Sequence, residues 1–240
     1  MAPQVLFIHN EHLATEGLLG EAFTECGYDV STFSVVPADR VNDPVGDVAF
    51  PDPTAYDVIV PLGARWAVYD EALRQTWVGT EMQMLRDAAD AGVPTLGVCF
   101  GGQLLAQAFG GSVARSTRPE IGWYDVTSDD EGLIPGGPWF EWHSDTWKLP
   151  RGATEIARTA NASQAFVLGR ALGLQFHPEV DHDLLDTWLA DDPNGEVASF
   201  GLTNDELLSA TKELESDAAR RIRGLVRGFL SQVAHQPCPS

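Results

Sequence analysis

Three side chains of this 240-residue sequence could carry hydrolytic chemistry if the fold brings them together: Cys99, His177 and Glu179. Cys99 follows an apolar run over residues 93–98. Beyond it, Leu104 and Ala108, like Leu105 and Phe109, stand four apart, and Gly110-Gly111 supply a stop. Gly97 lies two residues before Cys99 and Gly101 two after, the pattern of a nucleophile elbow with Cys in place of Ser. A helix N-terminus behind the sulfur favours its thiolate. A lone Cys in a glycine-rich turn is more often just buried; the paired glycines at a strand–helix switch favour the elbow. A thiol nucleophile needs a base and a group to orient that base. His177 closes an apolar run over residues 172–176, and Pro178 after it cannot extend a central strand. That places His177 at a strand's C-terminal edge, where open α/β sheets hold their sites. Glu179, two residues on, can accept a hydrogen bond from the imidazole.

The elements that must position these groups are legible in outline. Residues 5–8 and 56–60 read as buried strands and 29–36 and 93–98 as further strands, with helices over 16–26, 76–91 and 103–109 between or after them. Residues 37–54 carry four prolines and read as loop. This rhythm predicts an α/β fold: an open, mostly parallel central sheet with helices on both faces, flavodoxin-like. After Gly111 the texture changes to short strands over 113–116, 123–127, 140–142, 155–159, 164–168 and 171–176, a smaller antiparallel portion returning to the sheet. A helix is predicted over 181–191. Thr203 to Glu206 has capping-box spacing and opens a long amphipathic helix with a break near Ser216. No repeat or linker divides the chain, so a single domain over 1–240 is expected, with a helical C-terminal extension over about 181–235.

The formal net charge of −20 argues against nucleic acid or an anionic membrane surface as partner. Cys26, Cys99 and Cys238 fit neither a disulfide framework nor a zinc spacing, and with no signal peptide or membrane-length apolar run they point to a reducing cytoplasm. No metal cluster, phosphate-binding glycine loop or cofactor is expected.

The motifs Gly97-Val98-Cys99-Phe100-Gly101-Gly102-Gln103 and Gln175-Phe176-His177-Pro178-Glu179 together resemble the class I, triad-type glutamine amidotransferase family. Residues 119–123, 141–145 and 164–166 are similar to the subgroup related to the glutaminase domain of GMP synthase, and the resemblance covers roughly residues 5–190. It implies that Cys99 attacks a glutamine side-chain amide to form a γ-glutamyl thioester, with His177 as acid and base and Glu179 as its orienter. It also implies an oxyanion hole of backbone N–H groups from Phe100 and from Gly63-Ala64, and substrate contacts from Gln103, Glu120, Ile121 and Gly122. Where the family has a Gly-Gly-Pro-like turn this chain has Gly63-Ala64-Arg65. Ala64 disfavours positive φ, and Arg65 is either solvated or in contact with substrate or partner.

Three alternatives stay open on the sequence. One is a stand-alone γ-glutamyl peptidase. Another is a non-catalytic regulatory subunit retaining the fold. The last is a chaperone- or glyoxalase-type elbow protein, which would not predict His-Pro-Glu closing a later strand. With no Walker-type motif in the sequence, ammonia is expected to pass to a separate acceptor synthase subunit. His143-Ser144-Asp145 reads as a supporting segment, His9 and His12 as solvated loop histidines, and Arg220, Arg221, Arg223 and Arg227 as a solvated or ion-paired helix face.

Overall fold

The computed structural model describes residues 2–192 and 195–238. Its strands are β1 (Gln4–His9), β2 (Asp29–Ser34), β3 (Val58–Pro61), β4 (Thr95–Val98), β5 (Ser112–Ser128), β6 (Gly137–Lys148), β7 (Thr154–Arg158), β8 (Ser163–Leu168) and β9 (Ala171–Leu174). They form one sheet in the order β2-β1-β3-β4-β9-β8-β7-β5-β6. The first five in that order pair in parallel and the rest antiparallel. The expected mostly parallel sheet with an antiparallel portion is therefore present.

Alternation along the buried strands builds two cores. Val5, Phe7, Val58, Val60, Leu96 and Val98 face α1 (Gly17–Glu25) and the late residues of α7 (Asn204–Gly228). Leu6, Ile8 and Ile59 face the other way, onto α3 (Trp77–Asp90) and α4 (Phe100–Ala108). Each fully buried Phe or Leu in these layers contributes about 1.5–3 kcal/mol. Short helices α2 (Glu71–Arg74) and α6 (Glu196–Ser199), with α5 (His182–Ala190), complete the set, and α5 packs with Ile121, Phe140 and Leu207 in a third cluster.

Three expectations change. The two strands predicted over 113–116 and 123–127 are one, β5, and the register with β6 shifts between Arg115 and Glu120. Pro119 lies in that shift; a proline cannot donate to the ladder, so the strand bulges there rather than ends. Likewise α7 runs unbroken through Ser216, which is exposed and interrupts no apolar contact. Thr203 caps α7 through the predicted box, its side chain accepting from the Glu206 N–H and its own N–H donating to the Glu206 carboxylate.

The largest correction concerns the cysteines: Cys26 and Cys238 form a disulfide, 212 residues apart in sequence. It ties the end of α1 to the C-terminal segment, where Tyr28 O–H also donates to Gln236. Spacing did not show this because the pairing depends on the tail returning across the sheet. The cysteine count therefore loses its force as an argument for a reducing compartment. Among the described residues, no helix is long and apolar enough to cross a membrane.

Candidate active site

Cys99 is the one free cysteine among the described residues, and it sits between β4 and α4 with φ 50° and ψ −107°. A non-glycine residue held there costs about 1–3 kcal/mol and persists only where its surroundings impose it. Here Cys99 N–H donates to Leu174 O on β9 at 2.8 Å, and Cys99 O accepts from Gln103 N–H at 2.9 Å. The flanking glycines are required by space. A Cβ on Gly97 would come within 2.5 Å of the Gly101 carbonyl group, and one on Gly101 within 2.0 Å of Pro61 O. The elbow thus exists because α4 lies directly on β3 and β4.

His177 follows β9, with its N–H donating to Phe140 O at 2.8 Å. Its Nδ1–H donates to Glu179 Oε1 at 2.7 Å, both side chains being buried. That bond directs Nε2, which has no other partner among the described residues, away from Glu179. Burial opposes protonation of His177, but the charges of Glu179 and Cys99 outweigh it and raise the imidazole well above its usual range. Trp188 on α5 packs its ring edge-to-face on His177 at 5.0 Å, holding the imidazole from the solvent side.

Gly63, just beyond β3, lies against both groups. A Cβ there would stand 2.9 Å from His177 Cε1 and 3.7 Å from Cys99 Cβ. Among the described residues, only Cys99 and His235 are non-glycines with positive φ, so Ala64 sits without the strain that the sequence suggested. Arg65 donates to Glu11 at 2.5 Å and to Asp191 at 2.7 Å, joining the loop after β1 to the end of α5 across the mouth of the site. Phe100 supplies the first N–H of α4 directly after Cys99, and the first N–H groups of a helix lack intrahelical partners.

These groups open on a cavity of about 360 Å³ lined by Cys99, Gln103, His177 and Glu179 among others, with Arg65 and Arg115 on its wall. Of the substrate contacts expected from resemblance, Gln103 lines it and donates to Gln175 Oε1 at 3.4 Å. Glu120, Ile121 and Gly122 do not line it. Glu120 is fully buried and accepts from Gln164 and Asn161, Ile121 packs in the third core, and Gly122 lies under Leu202 and Leu207. The cause is the bulge: resuming at Glu120, β5 turns these residues into the sheet's packing.

Several neighbours escaped the sequence reading. Gln175 Nε2 donates to Cys99 Sγ at 3.7 Å, and Cys99 Sγ–H reaches Trp142 O at 3.9 Å. The signal for Gln175 was its polarity at the end of an apolar strand, two residues before His177. Glu141 gave none. It is wholly buried, and burial, with the charges of Glu120 and Cys99, pushes its carboxyl well up against the opposing pull of His177. His143 stands beside it, Nδ1–H donating to Asp145 O at 2.9 Å and Nε2 lying 3.1 Å from Glu120 Oε2 and 3.5 Å from Glu141 Oε2. His9 ends β1 and pairs with Glu16 at 3.1 Å, burial lowering its pKa, so it is not a solvated loop residue. On α7, Arg223 pairs with Glu25, Arg220 with Asp217, and Arg221 stacks over Trp139.

The family model described as glutamine amidotransferase class-I matches residues 55–192, the stretch that contains Gly63, Cys99, His177 and Glu179. A protein of Sulfurisphaera tokodaii, named as one subunit of a glutamine-hydrolyzing GMP synthase, is 36% identical over 140 residues, covering 53% of this chain and 69% of that protein. The glutamine-hydrolyzing GMP synthase of Aeropyrum pernix is 38% identical over 112 residues, 41% of this chain, but the match spans only 22% of that longer protein. A solved glutamine amidotransferase from Thermotoga maritima superposes with a TM-score of 0.82 at 26% identity, covering 97% of this chain and 100% of that one. The chain belongs to the class I glutamine amidotransferase family.

Proposed function

We propose that the chain hydrolyses the side-chain amide of glutamine to glutamate and ammonia through Cys99, His177 and Glu179. The observation that carries this reading is the strained Cys99 elbow beside the buried His177–Glu179 pair. The Cys99 thiolate attacks the amide carbon while the His177 imidazolium protonates the departing ammonia, leaving a γ-glutamyl thioester. Neutral His177 then takes a proton from water, whose oxygen attacks the thioester carbon and releases the Cys99 thiolate and glutamate. Glu179 fixes the tautomer and stabilises the imidazolium. N–H groups of Phe100 and of Gly63 or Ala64 receive the oxyanion, and Gln103 helps hold the substrate. Ammonia passes to a separate synthase subunit, a reading supported by the Sulfurisphaera tokodaii relative, whose own name makes it one subunit of a synthase.

A second reading, a γ-glutamyl peptidase on the same triad, is favoured by Arg115. This exposed residue lines the cavity and forms no salt bridge among the described residues, so it could receive a carboxylate beyond the γ-amide. A diazoketone analogue of glutamine tests the shared chemistry: it should alkylate Cys99, with Cys99→Ala unlabelled. If wild type resists labelling with and without candidate synthase subunits, both hydrolytic readings fall and a regulatory role stands. Ammonia release from glutamine and amine release from γ-glutamyl peptides, compared as kcat/KM, decide between the substrates.

A further inference from the structure

Behind the nucleophile, on the side of β5 and β6, lies a closed group of ionisable side chains that the proposed hydrolysis does not use. Glu120, Glu141 and His143 each present one ligand-type atom, and the three atoms lie within 4.8 Å of one another. Their side chains are at most 1% exposed. Two carboxylates buried so close together repel strongly unless something positive lies between them.

The hydrogen bonds around the group say what that is. His143 Nδ1 faces the Asp145 carbonyl as a donor, which leaves Nε2 facing Glu120 Oε2 and Glu141 Oε2. A neutral imidazole in that position turns its lone pair on two carboxylate oxygens, which is repulsive; a shared cation makes the arrangement attractive. A metal-bound imidazole characteristically donates its other N–H to a carbonyl, and its carboxylate partners are held by further hydrogen bonds. Both features are present: Glu120 accepts from Gln164 Nε2 at 2.7 Å and from Asn161 Nδ2 at 3.1 Å. Independently, both oxygens of Glu141 are buried without any hydrogen-bond partner among the described residues. The 3.1 Å and 3.5 Å separations match the roughly 3.3 Å between ligands of a tetrahedral zinc with bonds of about 2.0–2.2 Å.

We propose that Glu120, Glu141 and His143 form a binding site for a divalent cation of the zinc type, electroneutral when filled. Approach is from the cavity, whose wall includes His143. The donor set, one imidazole and two carboxylates, suits zinc better than the all-oxygen shells of calcium or magnesium. The sequence held no sign of this, because the three ligands belong to two strands whose bulged register alone brings Glu120 opposite His143.

The experiment is metal analysis of the whole chain after treatment with chelator, addition of zinc and desalting. One zinc per chain is expected, and Glu141→Gln and His143→Gln should each weaken retention at least tenfold in competition with a chromophoric chelator. Should either variant fail to fold, X-ray absorption on the wild type alone decides. A first shell of nitrogen and oxygen at about 2.0–2.2 Å supports the site, whereas sulfur at about 2.3 Å assigns the metal to Cys99 and overturns it. Failure of wild type to retain zinc also overturns it. Neither result touches the hydrolytic reading, which the Cys99 label tests separately.

Discussion

Glu81→Gln should flatten the pH dependence of stability, by an amount the structure sets. Glu81 lies wholly buried on α3, and burial pushes its carboxyl from 4.5 up to about 8, with Asn10 as the polar neighbour pulling it back. Asn10 Nδ2 donates to Leu62 O at 3.0 Å, fixing the peptide whose N–H is that of Gly63. Neither Glu81 oxygen nor Asn10 Oδ1 has a hydrogen-bond partner among the described residues, so an ionised Glu81 would be a buried charge with only the Asn10 amide beside it to offset its desolvation. The carboxyl is raised on folding, so its contribution is fully present below about 4.5 and is lost as pH rises toward about 8. Each pH unit in that window costs about 1.4 kcal/mol, hence about 2.7 kcal/mol between roughly pH 5.5 and 7.5. His177 and Glu141 are also raised and add slope of the same sign, but they do so equally in wild type and variant. Urea unfolding of both proteins at the two pH values therefore isolates Glu81 as the difference of differences. Parallel loss of stability in the two proteins would refute the reasoning. A further consequence is that electrophile labelling of Cys99 in wild type, but not in the variant, should be perturbed as Glu81 ionises and the Gly63 peptide loosens.

Gly63→Ala places a Cβ 2.9 Å from His177 Cε1 and should lower kcat on the order of 10²-fold while leaving the fold intact; unchanged turnover would show that the ring does not hold this position during reaction. In Glu179→Gln the imidazole loses the first of the charges that raise it, so the alkaline limb of the kcat/KM profile should move to lower pH and kcat fall about 10²–10⁴-fold. Cys26→Ser should cost about 2–5 kcal/mol in denaturant unfolding, and reductant should lower the Tm of wild type but not of the variant. Arg65→Met removes two partly exposed ion pairs, so stability should change by less than about 1 kcal/mol, and any catalytic effect should appear in KM.

Much of this molecule is local and was therefore legible. The glycines around Cys99, the apolar run ahead of it and the Pro178 after His177 each constrain their own neighbourhood, and the structure puts all three at the C-terminal edges of β4 and β9. The capping box at Thr203 is local in the same sense. What the sequence could not determine is pairing across distance. The Cys26–Cys238 bond joins residues 212 apart. The bulge at Pro119 decides that Glu120 faces His143 instead of the cavity, because a shift in strand register reassigns which side chains share a face. Arg65, ambiguous as a residue type, became a bridge only when α5 brought Asp191 to it. Residue type alone does not set Glu81 and Glu141 apart from other carboxylates, and it is burial by the packed helices and strands that makes their protons consequential. Residue type and spacing named the candidate reacting groups; desolvation and register, which exist only once the sheet is assembled, determined their surroundings.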